Sequence, residues 1–190
     1  MCIRDSPIHV RSSFNLVPGT MVVQEVKEME DIVVSGVAYN RAEAKISVLG
    51  VPDRPGIAAL LFGMLGNRGV VVDMIIQNVG SSGLNDISFT VSKDDLNEAL
   101  KIANEFAKET GAREVLSDRN IAKVSVVGVG MKSHSNVAAT MFNALAKNNI
   151  NIQMISTSEI KISCLIDEKD LDVAVRAIHD EFELQEAVKS

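Results

Sequence analysis

Short β-branched runs alternate along this chain with longer stretches whose apolar residues recur every three or four positions. Ile32-Val33-Val34-Ser35-Gly36-Val37-Ala38 predicts a strand. Asn40 to Glu43 turns the chain into a second apolar strand, Lys45 to Val51. From Ile57 to Arg68, residues Ile57, Leu60, Leu61, Met64 and Leu65 fall on one helical face, and Gly69 supplies the stop. Val70 to Gln77 is a nearly continuous apolar strand. Gly80-Ser81-Ser82-Gly83 then reads as a loop, and Asp86 to Val91 as a strand of period two. Ser92 is the expected cap of a helix running to about Thr110, and Val115-Leu116 adds a short strand.

The same order then returns. Ala44-Lys45-Ile46-Ser47-Val48-Leu49-Gly50-Val51 lies over Ala122-Lys123-Val124-Ser125-Val126-Val127-Gly128-Val129, and Asp73-Met74-Ile75 lies over Gln153-Met154-Ile155. The period, about 75 to 80 residues, suits a duplicated small domain rather than a solenoid. The second copy predicts strand Ala122 to Val129, helix Val137 to Lys147, strands Ile150 to Ser156 and Ile160 to Ile166, and helix Lys169 to Phe182. The expected fold class is α+β. It comprises two ferredoxin-like βαββα modules, 31–116 and 117–186, each an antiparallel sheet covered on one face by two helices. Each module is one strand short, so the Ile32 to Ala38 strand is free to complete a sheet, that of the second module by preference. The arm 1–30 includes a short strand at Ile8 to Arg11 and a turn at Pro18-Gly19-Thr20; residues 1–6 fit nothing that follows.

Composition narrows the function. Of 190 residues, 46% are hydrophobic but only 4% aromatic, so the cores are aliphatic. A formal net charge of −6 argues against nucleic acid or an anionic membrane as partner. No apolar run reaches membrane-spanning length, and Arg4 and Asp5 stand where a signal peptide would be apolar. Cys2 and Cys164 lie far apart and read as a terminal thiol and a buried strand residue, as in a reducing cytoplasm. Groups for catalysis are missing. Gly128-Val129-Gly130 lacks the third glycine of a dinucleotide loop, and His9, His134 and His179 lack metal-ligand spacing. Ser133-His134-Ser135 has no scaffolded third member for a triad. A binding or regulatory chain without its own cofactor or metal is the expectation.

The candidate chemistry sits at Val51-Pro52-Asp53-Arg54-Pro55-Gly56-Ile57-Ala58, where a strand turns into a helix. Pro55 suits the lip of a helix and Gly56 lets a ligand approach the backbone. The free N–H groups of the first turn favour an anion. Asp53 adds one negative charge, so the stretch either receives the carboxylate and ammonium of an amino acid or is a turn with an N-capping Asp.

Tandem modules with this turn resemble ACT domains, which bind small amino acids. Ser35-Gly36-Val37-Ala38-Tyr39, Asp53 to Gly56, Asp73 to Asn78, Val127 to His134 and Met154 to Ser163 resemble the regulatory half of aspartate kinase, over about residues 7 to 185. Residues His9 to Phe14 and Pro18 to Thr20 look like the close of a kinase domain whose remainder is missing. The chain thus resembles a separate regulatory subunit or a truncated fragment, inactive alone. In that family the kinase domain, with ATP and Mg, phosphorylates the side-chain carboxylate of L-aspartate. The ACT half senses L-threonine, L-lysine or both.

The resemblance implies a homodimer through the ACT modules, the first module of one chain beside the second of the other, and a catalytic aspartate kinase chain as partner. It implies that Asp53 holds the effector ammonium and that Pro55, Gly56, Ile57 and Ala58 receive the carboxylate. Gln77 reaches in from the adjoining strand, and Asn149 and Ile150 of the partner module close the site. A weaker second site would use Met131, Lys132, Ser133, His134 and Val137, facing Val70 and Val71. Gly80 stands where the family often has Ser, and Asn136 where it often has Gly. A stand-alone amino-acid sensor and a non-binding assembly module are the rival expectations.

Overall fold

In the computed structural model, residues 34–80, 83–129 and 136–184 are described in full, and 8–10 and 20–22 by their backbone. That backbone forms a small antiparallel pair, β1 (Ile8–Val10) with β2 (Thr20–Val22). Next come β3 (Gly36–Asn40), β4 (Glu43–Pro52), α1 (Ile57–Asn67), β5 (Val72–Val79), β6 (Leu84–Ser92), α2 (Leu96–Thr110) and β7 (Glu114–Asp118). The second half holds β8 (Ile121–Val127), α3 (Val137–Lys147), β9 (Met154–Thr157), β10 (Lys161–Asp167) and α4 (Leu171–Glu181).

Two four-stranded antiparallel sheets result, in the orders β5-β6-β4-β7 and β3-β8-β10-β9. The first module supplies its own fourth strand, because β7 returns along β4 with Ser47 opposite Leu116. It is therefore βαββαβ rather than one strand short, and it extends past residue 116 to Asp118. Among the described residues the second module has no such strand; β3 fills the equivalent place beside β8, Ala38 opposite Ser125. The strand begins at Gly36, later than the β-branched run suggested, and Ile32 and Val33 lie outside the described residues. Helix α2 also begins later, at Leu96: the Ser92 hydroxyl accepts the Asp95 N–H at 3.0 Å, so a turn precedes the helix proper.

Period two decides what each sheet face does. Ile46, Val48, Ile87, Phe89 and Val91 point to α1 and α2 and bury completely or nearly so with Leu61, Leu65, Ile102 and Phe106. Val124, Val126, Cys164 and Ile166 do the same under α3 and α4 with Met141, Leu145 and Ile178. The opposite phase carries short polar side chains, with Ser47 bonded to Ser88 and Ser125 to Ser163, each at 2.8 Å.

These helix-free faces meet each other. Met74 and Ile76 of the first module pack with Ile121, Met154 and Leu165 of the second. Positions matched by the repeat exchange partners across the contact. Lys45 bonds Gln153, whereas Lys123 bonds Asp73 and also Glu43. The modules are thus related by a pseudo-two-fold axis, with Met74 and Met154 in one cluster. At the rim, Lys93 pairs with Glu168 at 2.9 Å and Arg41 pairs with Asp172.

Burial pulls the Lys123 ammonium down, but its bonds to Asp73 and Glu43 outweigh that and hold its pKa above the ordinary lysine value. The Lys123 bond holds the Asp73 carboxyl below the usual range, against partial burial. A depressed carboxyl stabilises the fold above its unfolded pKa of about 3.9 and loses that contribution as pH falls through the folded value. Asp73→Asn is therefore expected to lower stability at pH 7 by up to about 1 kcal/mol, Asp73 being half exposed. The gap to the unaltered chain should close below about pH 4. Urea unfolding of both chains from pH 3 to 7 checks this; a gap independent of pH would contradict it.

Candidate functional site

Strand β4 ends at Pro52, and residues 53–56 carry the chain, exposed, into α1. Gly56 is the N-cap residue, at φ +89°, and no side chain caps the helix. Of the first-turn N–H groups, that of Ile57 donates to the Arg54 carbonyl at 3.3 Å, while those of Ala58 and Ala59 have no intrahelical acceptor and favour an anion. Ile57 is 4% exposed and anchors the turn in the core. A Cβ on Gly56 would meet nothing within 4 Å, so the backbone here is open to approach.

Asp53 does not cap α1. Its carboxylate accepts the Asn85 Nδ2–H at 2.8 Å, and its backbone N–H donates to Gly83 at 3.0 Å. Asn85 is 1% exposed and occupies the same phase of β6 as Ile87 and Phe89, on the helix-covered face. Its Oδ1 is buried with no hydrogen-bond partner among the described residues. Reversing the amide would set oxygen against the Asp53 carboxylate, so Asp53 itself fixes which end is which. Asn85 escaped sequence reasoning. The available signal was a polar residue in the inward phase of an apolar strand, just before the run Asp86 to Val91.

Gln77 stands opposite Ile87 in the β5–β6 ladder, and Val79 opposite Asn85. Gln77 therefore shares the helix-covered face, one pair along from Asn85, and it is exposed. Strand β5 is an edge, with Ile75 53% and Val79 75% exposed. The structure thus sets Asp53, the buried Asn85 and the start of α1 at one end of the first sheet, with Gln77 on the edge strand beside them.

Asn149 and Ile150 lie elsewhere, at the end of α3. Asn149 takes φ +54° in the place that Gly69 fills at φ +72° after α1, a left-handed turn that Asn tolerates. Its N–H donates to Ala146 and that of Ile150 to Leu145, each at 3.0 Å. The Ile150 side chain belongs to the second core. Among the described residues, no hydrogen bond links this pair to 53–58.

Of the second set, Met131, Lys132, Ser133 and His134 lie outside the described residues. Val137 and Val70 are buried, and Val71 is 74% exposed. Entry to α3 differs from entry to α1: Asn136 is right-handed at φ −89° where Gly56 is left-handed. Ser156 to Glu159 ends β9 and turns the chain, Ser158 accepting the Lys161 N–H at 3.1 Å. Burial pushes the Cys164 thiol up to about 12, which makes it an inert core residue.

Gly80 donates to the Leu84 carbonyl at 2.9 Å, and a Cβ on Gly80 would press into that oxygen. Two glycine variants should therefore behave differently. Gly56→Ala, strained by φ alone, is expected to cost about 1 to 2 kcal/mol. Gly80→Ala, which forces the β5–β6 loop to move, should cost more. Thermal melts of the two variants test the order; a larger loss for Gly56→Ala would contradict it.

Known proteins complete the picture. The ACT domain family model matches residues 34–106 and 124–182. Aspartate kinase Ask_LysC of Stutzerimonas stutzeri is 54% identical over 179 residues, covering 94% of this chain and 43% of its own length. The aspartokinase of Pseudomonas aeruginosa is 52% identical over 180 residues, covering 94% and 44%. The chain thus spans less than half the length of these curated relatives. Among solved structures, that of aspartokinase alpha and beta subunits matches at TM-score 0.75 and 47% identity, covering 80% of this chain and 100% of that one. The ligand-free regulatory subunit of aspartate kinase from Thermus thermophilus matches at TM-score 0.76 and 45% identity, covering 79% and 99%. With both modules matched and nearly all of a regulatory subunit covered, the chain belongs to the ACT domain family, as a tandem pair of the aspartate kinase regulatory type.

Proposed function

We propose that this chain is the effector-binding part of an aspartate kinase, acting in the cytoplasm, and that L-lysine, L-threonine or both bind at the β4–α1 turn. The observation that carries this reading is the uncapped, glycine-opened start of α1 beside the Asp53 carboxylate. The effector carboxylate would rest on the N–H groups from Ile57 to Ala58, next to Pro55 and Gly56, and its ammonium on Asp53. Gln77 would reach it from β5.

The site is open along an apolar edge, which supports completion by a second copy whose Asn149 and Ile150 close it. Exposed Ile155 and Ile160 on the matching edge of the second module suit the same pairing. The turn from Met131 to Val137, facing Val70 and Val71, is the weaker second site in this reading. Phosphoryl transfer, with its ATP and Mg, would reside in a catalytic domain or chain. Effector bound between modules shifts the populations of two module arrangements, and it does so only by its differential affinity for them.

Titration calorimetry of the chain with L-threonine, L-lysine, and each in the presence of the other tests this. Saturable binding is expected, weakened at least tenfold by Asp53→Ala, as loss of a charge-assisted bond requires. No heat from a folded dimer would reject effector binding and leave an assembly module.

A further inference from the structure

Asn85 holds a polar end, its Oδ1, that no hydrogen bond among the described residues uses. Its side chain is buried at 1% exposure on the helix-covered face of β6, between β4 and the edge strand β5. One end of its amide donates to Asp53 at 2.8 Å; the other, Oδ1, meets no donor among the described residues. For folding alone this is a poor arrangement. A buried carbonyl without a donor destabilises the protein, and a leucine of similar size would fill the same apolar space without that cost.

The arrangement makes sense if a donor arrives. We infer that Asn85 is a ligand-binding and positioning residue of the effector site. Its Nδ2–H sets the orientation of the Asp53 carboxylate, and its Oδ1 is held for a primary ammonium brought in by the effector. This rests on the proposed amino-acid binding at the β4–α1 turn and adds a residue that determines how tightly, and through which group, the effector is held. A carboxylate tethered on one oxygen keeps its remaining acceptor capacity for the ligand. With the Oδ1 lone pairs on the adjoining amide, the pair offers acceptors on two different planes. A rigid pair selects a tetrahedral –NH3+ group over a flat or singly donating one. In the sequence repeat Met131 stands at the position of Asp53, so the carboxylate half of the pair is specific to the first module.

The test separates a ligand role from a structural one by the sign of two measurements. Thermal melting and calorimetric titration with L-lysine and L-threonine are run on the unaltered chain and on Asn85→Leu. The expected result is an equal or higher Tm for Asn85→Leu together with effector binding weakened about ten- to a hundredfold, the range for a lost hydrogen bond to a charged group. Should Asn85→Leu fail to fold, Asn85→Val, apolar and without an amide, carries the same comparison. Nα-acetyl-lysine and Nε-acetyl-lysine then show which ammonium the pair receives. The derivative blocked at that nitrogen should bind the unaltered chain and Asn85→Leu equally poorly.

A lowered Tm in the variant that folds, or unchanged affinity, would assign Asn85 to structure and overturn the inference while leaving effector binding intact. If the unaltered chain binds neither amino acid, the proposed function itself falls and takes this inference with it.

Discussion

Lys123 is the point at which the two halves of the chain are held. Its ammonium stands between Glu43, at the start of β4, and Asp73, at the irregularity in β5. Glu43 is 5% exposed, and without that ammonium it would be a buried, uncompensated charge, a situation that costs several kcal/mol. The matching contact from Lys45 ends on the neutral amide of Gln153, which passes the interaction on to Asp167 at 2.8 Å. One side of the pseudo-two-fold is therefore an ion pair and the other a polar relay. Around them Met74, Met154 and Leu165 exclude water and give both charges a partly desolvated setting. The asymmetry makes the module contact specific in register without making the two modules alike.

Fixing the helix-free faces against each other has a consequence for function. Each sheet has one face under helices and one against the other module, which leaves the edge strand and the ends of the sheet open. In the first module one end carries the start of α1 and the Asp53–Asn85 pair, with the edge strand β5 beside it. An effector there would touch the elements that a second copy would cover, so binding and module arrangement would share one free energy.

Much of this was legible in the sequence because burial writes periodicity. The alternation in Asp86 to Val91 and the helical spacing of Ile57, Leu61 and Leu65 gave both elements, and the repeat gave the second module. The boundaries were less legible. Ser92 reads as a cap, yet its hydroxyl serves a turn before α2, and a local hydrogen bond of that kind looks the same in sequence as a true cap. The strand β7 was too short and too exposed to announce that it completes the first sheet. At the site, Asp53 and Gly56 stood out because glycine and an acid at a strand–helix turn have few uses. Asn85 did not, since its meaning depends on Asp53, thirty-two positions away in sequence. Gly80 likewise looks like an ordinary loop glycine until the carbonyl of Leu84 is seen beside it.

Backbone-amide NMR during titration with L-lysine and then L-threonine tests the central claim most directly, because it locates the effector without presupposing which side chain matters. The largest shifts are expected at Ile57, Ala58 and Ala59 at the start of α1, with Gln77 and Asn85 beside them. Shifts confined to the exposed surface of α3 and α4, or absent altogether in a folded chain, would contradict it.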